Sequence, residues 1–383
     1  MEKLLLIGID TRSMLESALK LNYELYSVSY FSTQDTPQIT NQKIILEEKN
    51  DTSCGNFKEK FNSQYMLDIS KDYLNEVDYI IPISGISPTE IKKKYQKKII
   101  GTKDIKNIEN KYKFYKKIKN NYKTPKTYRI NEISEAIEIS KNEPNTKYIL
   151  KPVKGSGGYN IHLLNKKDLE LEDDEYIMQE YINGINLSSS ILGSKNRKKT
   201  ITNTRLLTEH DLKKNNNYRY IGNILPLNDN KINEKMAETS EKLGHEFNLI
   251  GSNGVDYILN KNGLYVIEIN PRIQGTFECI EKSYNINMID AHIKSTQGEI
   301  IEIPKAKCYT YKKIIYSPTR FKYKKIKLNN IYDIPHYGSI TEKDEPLLTI
   351  IDQDVNLKKL CEKIKNSSQT IENIIKKHQQ DAI

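Results

Sequence analysis

The sequence predicts an α/β and α+β fold in three parts: an open α/β domain at the N-terminus, a larger α+β domain, and a small β-rich C-terminal region ending in a helix. In the first hundred residues, apolar runs typical of buried parallel strands, LLLIGID (4–10) and VDYIIPISG (77–85), alternate with helical patterns. Strands joined by glycine-containing turns dominate the middle of the chain, and short strands with turns follow residue 300. We therefore expect domains at residues 1–101, 102–300 and 301–383.

The N-terminal elements form a βαβ unit. The strand LLLIGID is followed by a helix over residues 11–22, in which apolar residues recur at helical spacing, and by the alternating strand ELYSVSYF (24–31). The turn between the first strand and the helix, GIDTRSM, lacks the G-x-G-x-x-G pattern. No dinucleotide site is therefore predicted.

The elements that follow are predicted from the same patterns. A helix covers IKNIENKYKFYKKIKNN (105–121) and stops before Thr124-Pro125. The remaining predicted elements, in chain order, are the strands TKYILKPV, YNIHLL and YIMQEYI, the helix INEKMAETSEKLGHEF, the strands GVDYILN, GLYVIEIN, KCYTYKKIIYS, DIPHYGSI and EPLLTIID, and a last helix over residues 357–377.

Composition excludes several classes of protein. The 383 residues are 37% hydrophobic and 29% charged, which is typical of a globular chain rather than a disordered one. No apolar run approaches the roughly 18 residues that span a membrane. The four cysteines include no Cys-x-x-Cys pair, and the six histidines show no metal-ligand spacing. Since MEKLLLIGID is typical of a first strand rather than a secretory signal, we expect a cytoplasmic protein without a membrane segment.

The net charge of +10 raises the question of nucleic acid. Basic clusters at 92–94, 197–199 and 320–327 lie in three different regions, and only the last is interleaved with aromatic residues. This pattern favours a lysine-rich surface over a nucleic-acid interface. A positive field would equally attract a nucleotide or a polycarboxylate substrate.

Two carboxylates are predicted to face each other in the second half of the chain. The loop Lys261-Asn262-Gly263 fits a three-residue β-hairpin with its glycine in the left-handed position. In that register Asp256 lies opposite Glu268 at about 5 Å between Cβ atoms, and Asn270 shares their face. Either Glu268 pairs with a Lys or Arg of the next strand, or the carboxylates and the amide oxygen hold a hard cation such as Mg²⁺. The hairpin alone leaves both interpretations open.

A glycine-dense segment, YILKPVKGSGGYNI (148–161), is a candidate phosphate site. Lys151 ends an apolar strand, and Gly155, Gly157 and Gly158 would let backbone N–H groups approach phosphate oxygens. The segment is not a Walker A motif, since a strand rather than a helix follows it, and a flexible hairpin turn is the alternative. Further on, MQEYINGIN either offers backbone groups to an adenine or forms an ordinary hairpin.

In order and spacing, these stretches resemble the ATP-grasp superfamily from about residue 101 to residue 298. The signature E-x-N-x-R in EINPR (268–272), with an acidic residue twelve positions earlier, is a specific match. The resemblance implies ATP binding by Lys111, Lys151, Gly155, Ser156, Gly157, Gly158, the hinge Gln179, Glu180, Tyr181 and Ile182, and Asn186; metal binding by Asp256, Glu268 and Asn270; and catalysis by Arg272 and Lys151.

The pattern departs from the family at Asn186, where an acidic residue often binds the ribose hydroxyls; Asn can hydrogen-bond ribose without a charge. The N-terminal region looks like the superfamily's Rossmann-like substrate-side domain, and the C-terminal region is similar to that of carboxylase-like members. The chain looks most like predicted ATP-dependent carboligases of the carboxylate–amine ligase type, related to the folds of biotin carboxylase and D-alanine–D-alanine ligase.

The resemblance implies an ATP-dependent carboxylate–amine ligase that uses ATP and Mg²⁺ (or Mn²⁺) and forms an acyl phosphate. The expected partners are a small-molecule carboxylate and an amine, such as an amino acid or a cofactor precursor. Neither a membrane nor nucleic acid is expected, and a homodimer is compatible with the family. The alternatives are a bicarbonate-activating, carboxylase-like enzyme and a non-catalytic nucleotide-binding scaffold.

Overall fold

The computed structural model describes residues 1–47, 51–53, 61–155, 160–164, 175–209 and 218–380, without the side chains of 378–380. Within this part of the chain the main sheets are a parallel N-terminal sheet, a small antiparallel sheet and a large antiparallel sheet. No helix among the described residues is long and apolar enough to cross a membrane.

The N-terminal region forms the predicted open α/β sheet. Four parallel strands pair in the order β3-β2-β1-β4, with the bounds β1 Lys3–Gly8, β2 Glu24–Phe31, β3 Asn41–Leu46 and β4 Tyr79–Pro82. The helices of this region are Arg12–Ala18, Ser63–Ile69 and Lys71–Glu76, and a 3₁₀-helix covers Lys93–Lys98. Strand β1 is almost entirely buried, as its apolar run predicts. The first helix ends at Ala18 instead of residue 22, because Lys20 and Leu21 tighten the chain with i→i+3 bonds.

A smaller antiparallel sheet follows in the chain. Its strands pair in the order β5-β8-β6-β7, with the bounds β5 Thr127–Ile130, β6 Tyr148–Pro152, β7 His162–Leu163 and β8 Tyr176–Glu180. The helix Ile133–Asn142 packs on this sheet through the buried Ala136. The sheet carries Lys151 on β6 and Gln179 on β8.

The largest sheet of the described chain has the strand order β13-β12-β9-β10-β11-β14-β18-β16, and its pairings are antiparallel. The bounds are β9 Ile185–Gly193, β10 Lys198–Thr208, β11 Tyr220–Leu225, β12 Gly251–Asn260, β13 Gly263–Asn270, β14 Tyr309–Tyr316, β16 Ile331–Tyr332 and β18 Pro346–Asp354. The remaining helices are Lys106–Glu109, Lys111–Ile118, Asn230–Glu246, Phe277–Tyr284, Met288–Gln297 and Leu357–Gln380.

The strands after residue 300 extend the largest sheet. Strand β14 pairs with β11, and β18 and β16 follow it, while β15 Phe321–Lys322 pairs with β17 Ile340–Thr341 outside this sheet. The strand predicted for DIPHYGSI is wrong over most of its length: of these residues only Ile340 is in a strand, and Asp333 has a φ of 54° that an extended strand does not allow. The division into residues 1–101, 102–300 and 301–383 stays a proposal.

Candidate active site

The hairpin β12–β13 brings the two predicted carboxylates together. Asp256 pairs with Glu268, as the sequence predicts, but the loop and the strand register that produce this pairing differ from the prediction. Asn260 pairs with Gly263, so the loop has two residues instead of three, and a β-bulge that leaves Ile267 unpaired restores the expected register. The predicted facing of the carboxylates is confirmed, and the three-residue loop is wrong.

The carboxylate of Asp256 is surrounded by neutral donors. Its Oδ1 accepts a hydrogen bond from Ser188 Oγ at 2.6 Å, and its Oδ2 accepts one from Asn270 Nδ2 at 2.9 Å. Burial, together with the smaller effect of the charge of Glu268, raises the pKa of Asp256 to about 7. Among the described residues no Lys or Arg lies within 4 Å of Asp256 to compensate its charge.

Glu268 lies near a lysine of the helix Lys111–Ile118, whereas one interpretation of the sequence expects a Lys or Arg of the next strand. The Nζ of Lys111 is 3.6 Å from Glu268 Oε2, and it also donates to the backbone carbonyl of Gly155 at 2.6 Å. Within the described ranges no group of three or more His, Cys, Asp or Glu residues could hold a metal ion. The hairpin offers two carboxylates and an amide, which suits Mg²⁺ when substrate phosphates supply further ligands.

Lys111 occupies its place because the helix predicted over residues 105–121 is interrupted at Asn110. The side chain of Asn110 accepts a hydrogen bond from the backbone N–H of Lys113 at 2.9 Å and caps a second, separate helix. The backbone N–H of Lys111 donates to the carbonyl of Val153 at 3.0 Å. Lys111 is thereby held in the first turn of a helix, next to the end of β6.

Lys151 is an ammonium in a largely buried place. It is 5% exposed and has no carboxylate within 4 Å among the described residues. Burial is the main cause that lowers the pKa of Lys151 to about 8; the charge of Glu268 opposes this shift, and the charge of Lys111 contributes to it. An anion placed beside Lys151 would therefore compensate a charge that the protein leaves without a partner.

A cavity of about 300 Å³, here called the main cavity, collects most of the predicted site residues. Those that line it are Lys111, Lys151, Gly155, Asn186, Asp256, Glu268, Asn270 and Arg272. Ser156, Gly157 and Gly158 lie outside the described residues, so their predicted contact with phosphate stays a prediction. The hinge Gln179, Glu180, Tyr181 and Ile182 is not part of the described cavity wall.

Two side chains of that hinge form hydrogen bonds with β5 and with the residue that precedes it. Gln179 Nε2 donates to Thr127 Oγ1 at 2.9 Å, and Glu180 Oε2 accepts from the backbone N–H of Lys126 at 3.2 Å. An adenine would therefore depend on backbone groups of the hinge. This part of the predicted site stays a prediction.

A chain of hydrogen bonds that was not predicted from the sequence lies behind Asp256. Ser190 Oγ donates to Gln274 Oε1 at 3.0 Å, and Gln274 Nε2 donates to Ser188 Oγ at 3.0 Å. Because Ser188 Oγ accepts this hydrogen bond from Gln274, it donates its own proton to Asp256. Gly254 leaves the room for this, since a Cβ there would lie 1.8 Å from Gln274 Nε2. The run of three serines, Ser188–Ser190, at the centre of the buried β9 is the signal that could have revealed it.

Arg272 lies where the hairpin leaves the sheet. Its backbone N–H donates to the carbonyl of Asn270 at 2.8 Å, and its Nη1 donates to the carbonyl of Ile273 at 3.4 Å. Its guanidinium has no carboxylate within 4 Å among the described residues. Arg272 thus presents an unpaired cation beside the two facing carboxylates.

Comparison with known proteins assigns this site to a family. The model of the ATP-grasp domain matches residues 108–276, which contain the described lining of the main cavity. An uncharacterized protein of Methanocaldococcus jannaschii is 31% identical over 370 residues, which are 94% of this chain and 91% of that protein. The chain belongs to the ATP-grasp family. The predicted fold is confirmed, and ATP-grasp enzymes use ATP and Mg²⁺.

Further relatives of this ATP-grasp chain include a ligase and two solved structures. The tyramine–L-glutamate ligase of M. jannaschii is 30% identical over 214 residues, 55% of this chain and 58% of the ligase. Biotin carboxylase of Campylobacter jejuni has a TM-score of 0.73 at 17% identity, covering 95% of this chain and 90% of that one. N5-carboxyaminoimidazole ribonucleotide synthetase of Thermotoga maritima has a TM-score of 0.72 at 14% identity, covering 97% and 98%. At these identities the two structures show the fold alone.

Proposed function

We propose that this ATP-grasp chain is an ATP-dependent ligase that joins a carboxylate to an amine through an acyl phosphate and releases ADP and phosphate. The observation that carries the proposal is the pair of facing carboxylates, Asp256 and Glu268, in one cavity with the buried ammonium of Lys151. Such a cavity offers ligands to a divalent cation and positive charge to phosphate oxygens. The similarity to a tyramine–L-glutamate ligase supports this reaction class.

Asp256, Glu268 and Asn270 have the chemistry that Mg²⁺ (or Mn²⁺) requires. The two carboxylates repel each other across the hairpin, and Asp256 has only neutral partners, so a divalent cation would remove an unfavourable interaction. Asn270 donates through Nδ2 to Asp256, which leaves its amide oxygen available as a ligand. When bound, the cation would neutralise the charge of the β- and γ-phosphates.

The two lysines are proposed to hold the phosphates. A phosphate oxygen beside Lys151 would supply the counter-charge that this buried ammonium lacks. Lys111 reaches the carbonyl of Gly155 and lies near Glu268, and it can exchange these partners for a phosphate oxygen. Asn186 lines the same cavity and is placed to hydrogen-bond the ribose.

The proposed reaction has two steps. An oxygen of the substrate carboxylate attacks the γ-phosphorus of ATP, and the bond from that phosphorus to the β–γ bridging oxygen breaks, which releases ADP. The amine, having lost one proton to solvent, then attacks the acyl carbon; the C–O bond to phosphate breaks, and a second proton leaves with the phosphate. Arg272 and Lys151 would stabilise the negative charge on the transferring phosphoryl group.

Product analysis tests this proposal. We would incubate the protein with Mg-ATP and a small-molecule extract of its own cells, and measure ADP, phosphate and any new condensed mass. We expect extract-dependent ADP release and a product equal to an acid plus an amine minus water, both lost in Glu268→Gln. Glu138→Gln, which removes an exposed charge from the helix Ile133–Asn142, is the matched control.

The same assay separates the alternatives. A bicarbonate-activating enzyme would release ADP in response to bicarbonate without any amine, and a scaffold would bind nucleotide without forming ADP with any fraction. Release of AMP instead of ADP would contradict the acyl phosphate.

A further inference from the structure

A second cavity, of about 320 Å³, adjoins the main cavity. The residues common to both are Lys111, Gly155, Glu268, Asn270 and Arg272. Its opposite wall comes from the N-terminal region, through the loop at 83–87 that follows β4 and through Glu90. Its volume is at the lower end of the range for small-molecule sites, so it suits a small substrate next to the phosphates.

Two carboxylates of the second cavity carry negative charge without a cationic partner. Glu109 lines the cavity and makes no side-chain hydrogen bond or ion pair within the described part of the chain. Desolvation raises its pKa, the charge of Glu90 adds to the rise, and the charges of Arg272, Lys154 and Lys111 act in the opposite direction without forming an ion pair. Glu90 accepts hydrogen bonds from Ser63 Oγ at 2.8 Å and from the backbone N–H of Ser87 at 2.9 Å, which are both neutral. A cationic group of a ligand would satisfy both carboxylates.

Three cations, Lys111, Lys154 and Arg272, complete the lining, and Arg272 forms no ion pair within the described part of the chain. The guanidinium of Arg272 belongs to both cavities, and its described hydrogen bond is to a backbone carbonyl. A guanidinium can bind a carboxylate through two parallel hydrogen bonds. The second cavity therefore combines the guanidinium of Arg272, next to the proposed phosphate site, and the more exposed Lys154 with two carboxylates that form no ion pair within the described residues.

We infer that the second cavity binds a small molecule that carries both a carboxylate and an ammonium, most simply an amino acid. The inference rests on the proposed function, because this molecule is the carboxylate that ATP activates. Arg272 binds its carboxylate beside the γ-phosphate, and Glu109 and Glu90 bind its ammonium. An ammonium held by carboxylates stays protonated and cannot attack the acyl phosphate. The new bond is then made by the amine of the second substrate, and self-condensation is suppressed.

The test measures the binding of amino acids to the full-length protein in the presence of Mg²⁺ and a non-hydrolysable ATP analogue. Calorimetric titration would compare each proteinogenic L-amino acid with its N-acetyl derivative and its carboxamide. We expect at least one free amino acid to bind, and its affinity to fall about tenfold or more when the ammonium or the carboxylate is blocked. We expect a similar loss in Glu109→Gln and no loss in Glu138→Gln.

Three results would overturn the inference. They are equal binding of the N-acetyl derivative, unchanged binding in Glu109→Gln, and failure of every amino acid to bind while the ATP analogue does. The comparison of derivatives uses the wild-type protein, so it does not depend on the folding of a variant. Failure of the ATP analogue itself to bind would overturn the proposed function and the inference with it.

Discussion

The buried histidine His292 predicts how the stability of the protein depends on pH. It lies in the helix Met288–Gln297, is 3% exposed, and accepts the backbone N–H of Ser252 through Nδ1 at 2.7 Å. Burial lowers the pKa of His292 from 6.5 to about 4, and a hydrogen bond with the backbone of Ile100 acts in the opposite direction. Protonation would set an N–H of the ring against the N–H of Ser252, so the native state keeps the ring neutral.

The magnitude follows from the two pKa values. Between about pH 6.5 and pH 4 the unfolded chain binds a proton that the folded chain does not, so the free energy of unfolding falls as the pH falls. At about 1.4 kcal/mol per pH unit, the loss is about 2 kcal/mol at pH 5 and about 3 kcal/mol once the pH reaches 4. Above about pH 6.5 both states are neutral at this site, and the contribution is constant.

Urea unfolding of His292→Gln at several pH values from about 7.5 to 5 is the assay. Gln carries no charge, like the neutral histidine ring of the native state, and the variant does not titrate at this position. We expect it to lose about 2 kcal/mol less than the wild type over this range. The matched control is His245→Gln, at an exposed histidine. If His292→Gln and the wild type show the same pH dependence, the argument from burial is refuted.

Two further predictions concern the main cavity. Lys151→Met should weaken Mg-ATP binding about tenfold or more, and the urea midpoint should stay the same or rise, because the substitution removes a buried charge without a partner. Calorimetry measures the affinity, and urea unfolding measures the stability. Unchanged affinity would show that Lys151 is not part of the phosphate site. The exposed Lys147→Met is its control. Ser188→Ala should raise the Mg²⁺ concentration needed for half-maximal ATP binding several-fold, because Asp256 loses the hydrogen-bond donor that orients it. An unchanged Mg²⁺ titration would contradict this prediction.

Local patterns were enough to predict the facing carboxylates. Side chains alternate along a strand, so a hairpin that joins β12 and β13 places Asp256, Glu268 and Asn270 on one face. The loop was predicted with one residue too many, yet the pairing is right, because the bulge at Ile267 shifts the register by the same amount. A bulge inside an apolar strand does not change the hydrophobic pattern. The sequence therefore could not distinguish a three-residue loop without a bulge from a two-residue loop with a bulge.

Contacts between distant parts of the chain could not be predicted in this way. Ser188 and Gln274 are 86 residues apart, and their hydrogen bond depends on the order of the strands in the largest sheet. Arg12 is a stronger case: it is 1% exposed and forms ion pairs with Glu278 at 2.8 Å and Asp333 at 2.7 Å. In the sequence, Arg12 is only a residue of a predicted helix, next to a turn without a dinucleotide signature. Such pairs are specified by tertiary packing, which one sequence does not display.

The measurement that tests the account most directly is the Mg²⁺ dependence of ATP binding. ATP would be titrated calorimetrically into wild-type protein, Glu268→Gln and the control Glu138→Gln, with Mg²⁺ and with a chelator. If Asp256, Glu268 and Asn270 hold the cation on the phosphates, Mg²⁺ strengthens binding in the wild type and the control, and this gain is lost in Glu268→Gln. Equal affinity with and without Mg²⁺ in the wild type, or an undiminished gain in Glu268→Gln, would contradict the proposed metal–nucleotide site.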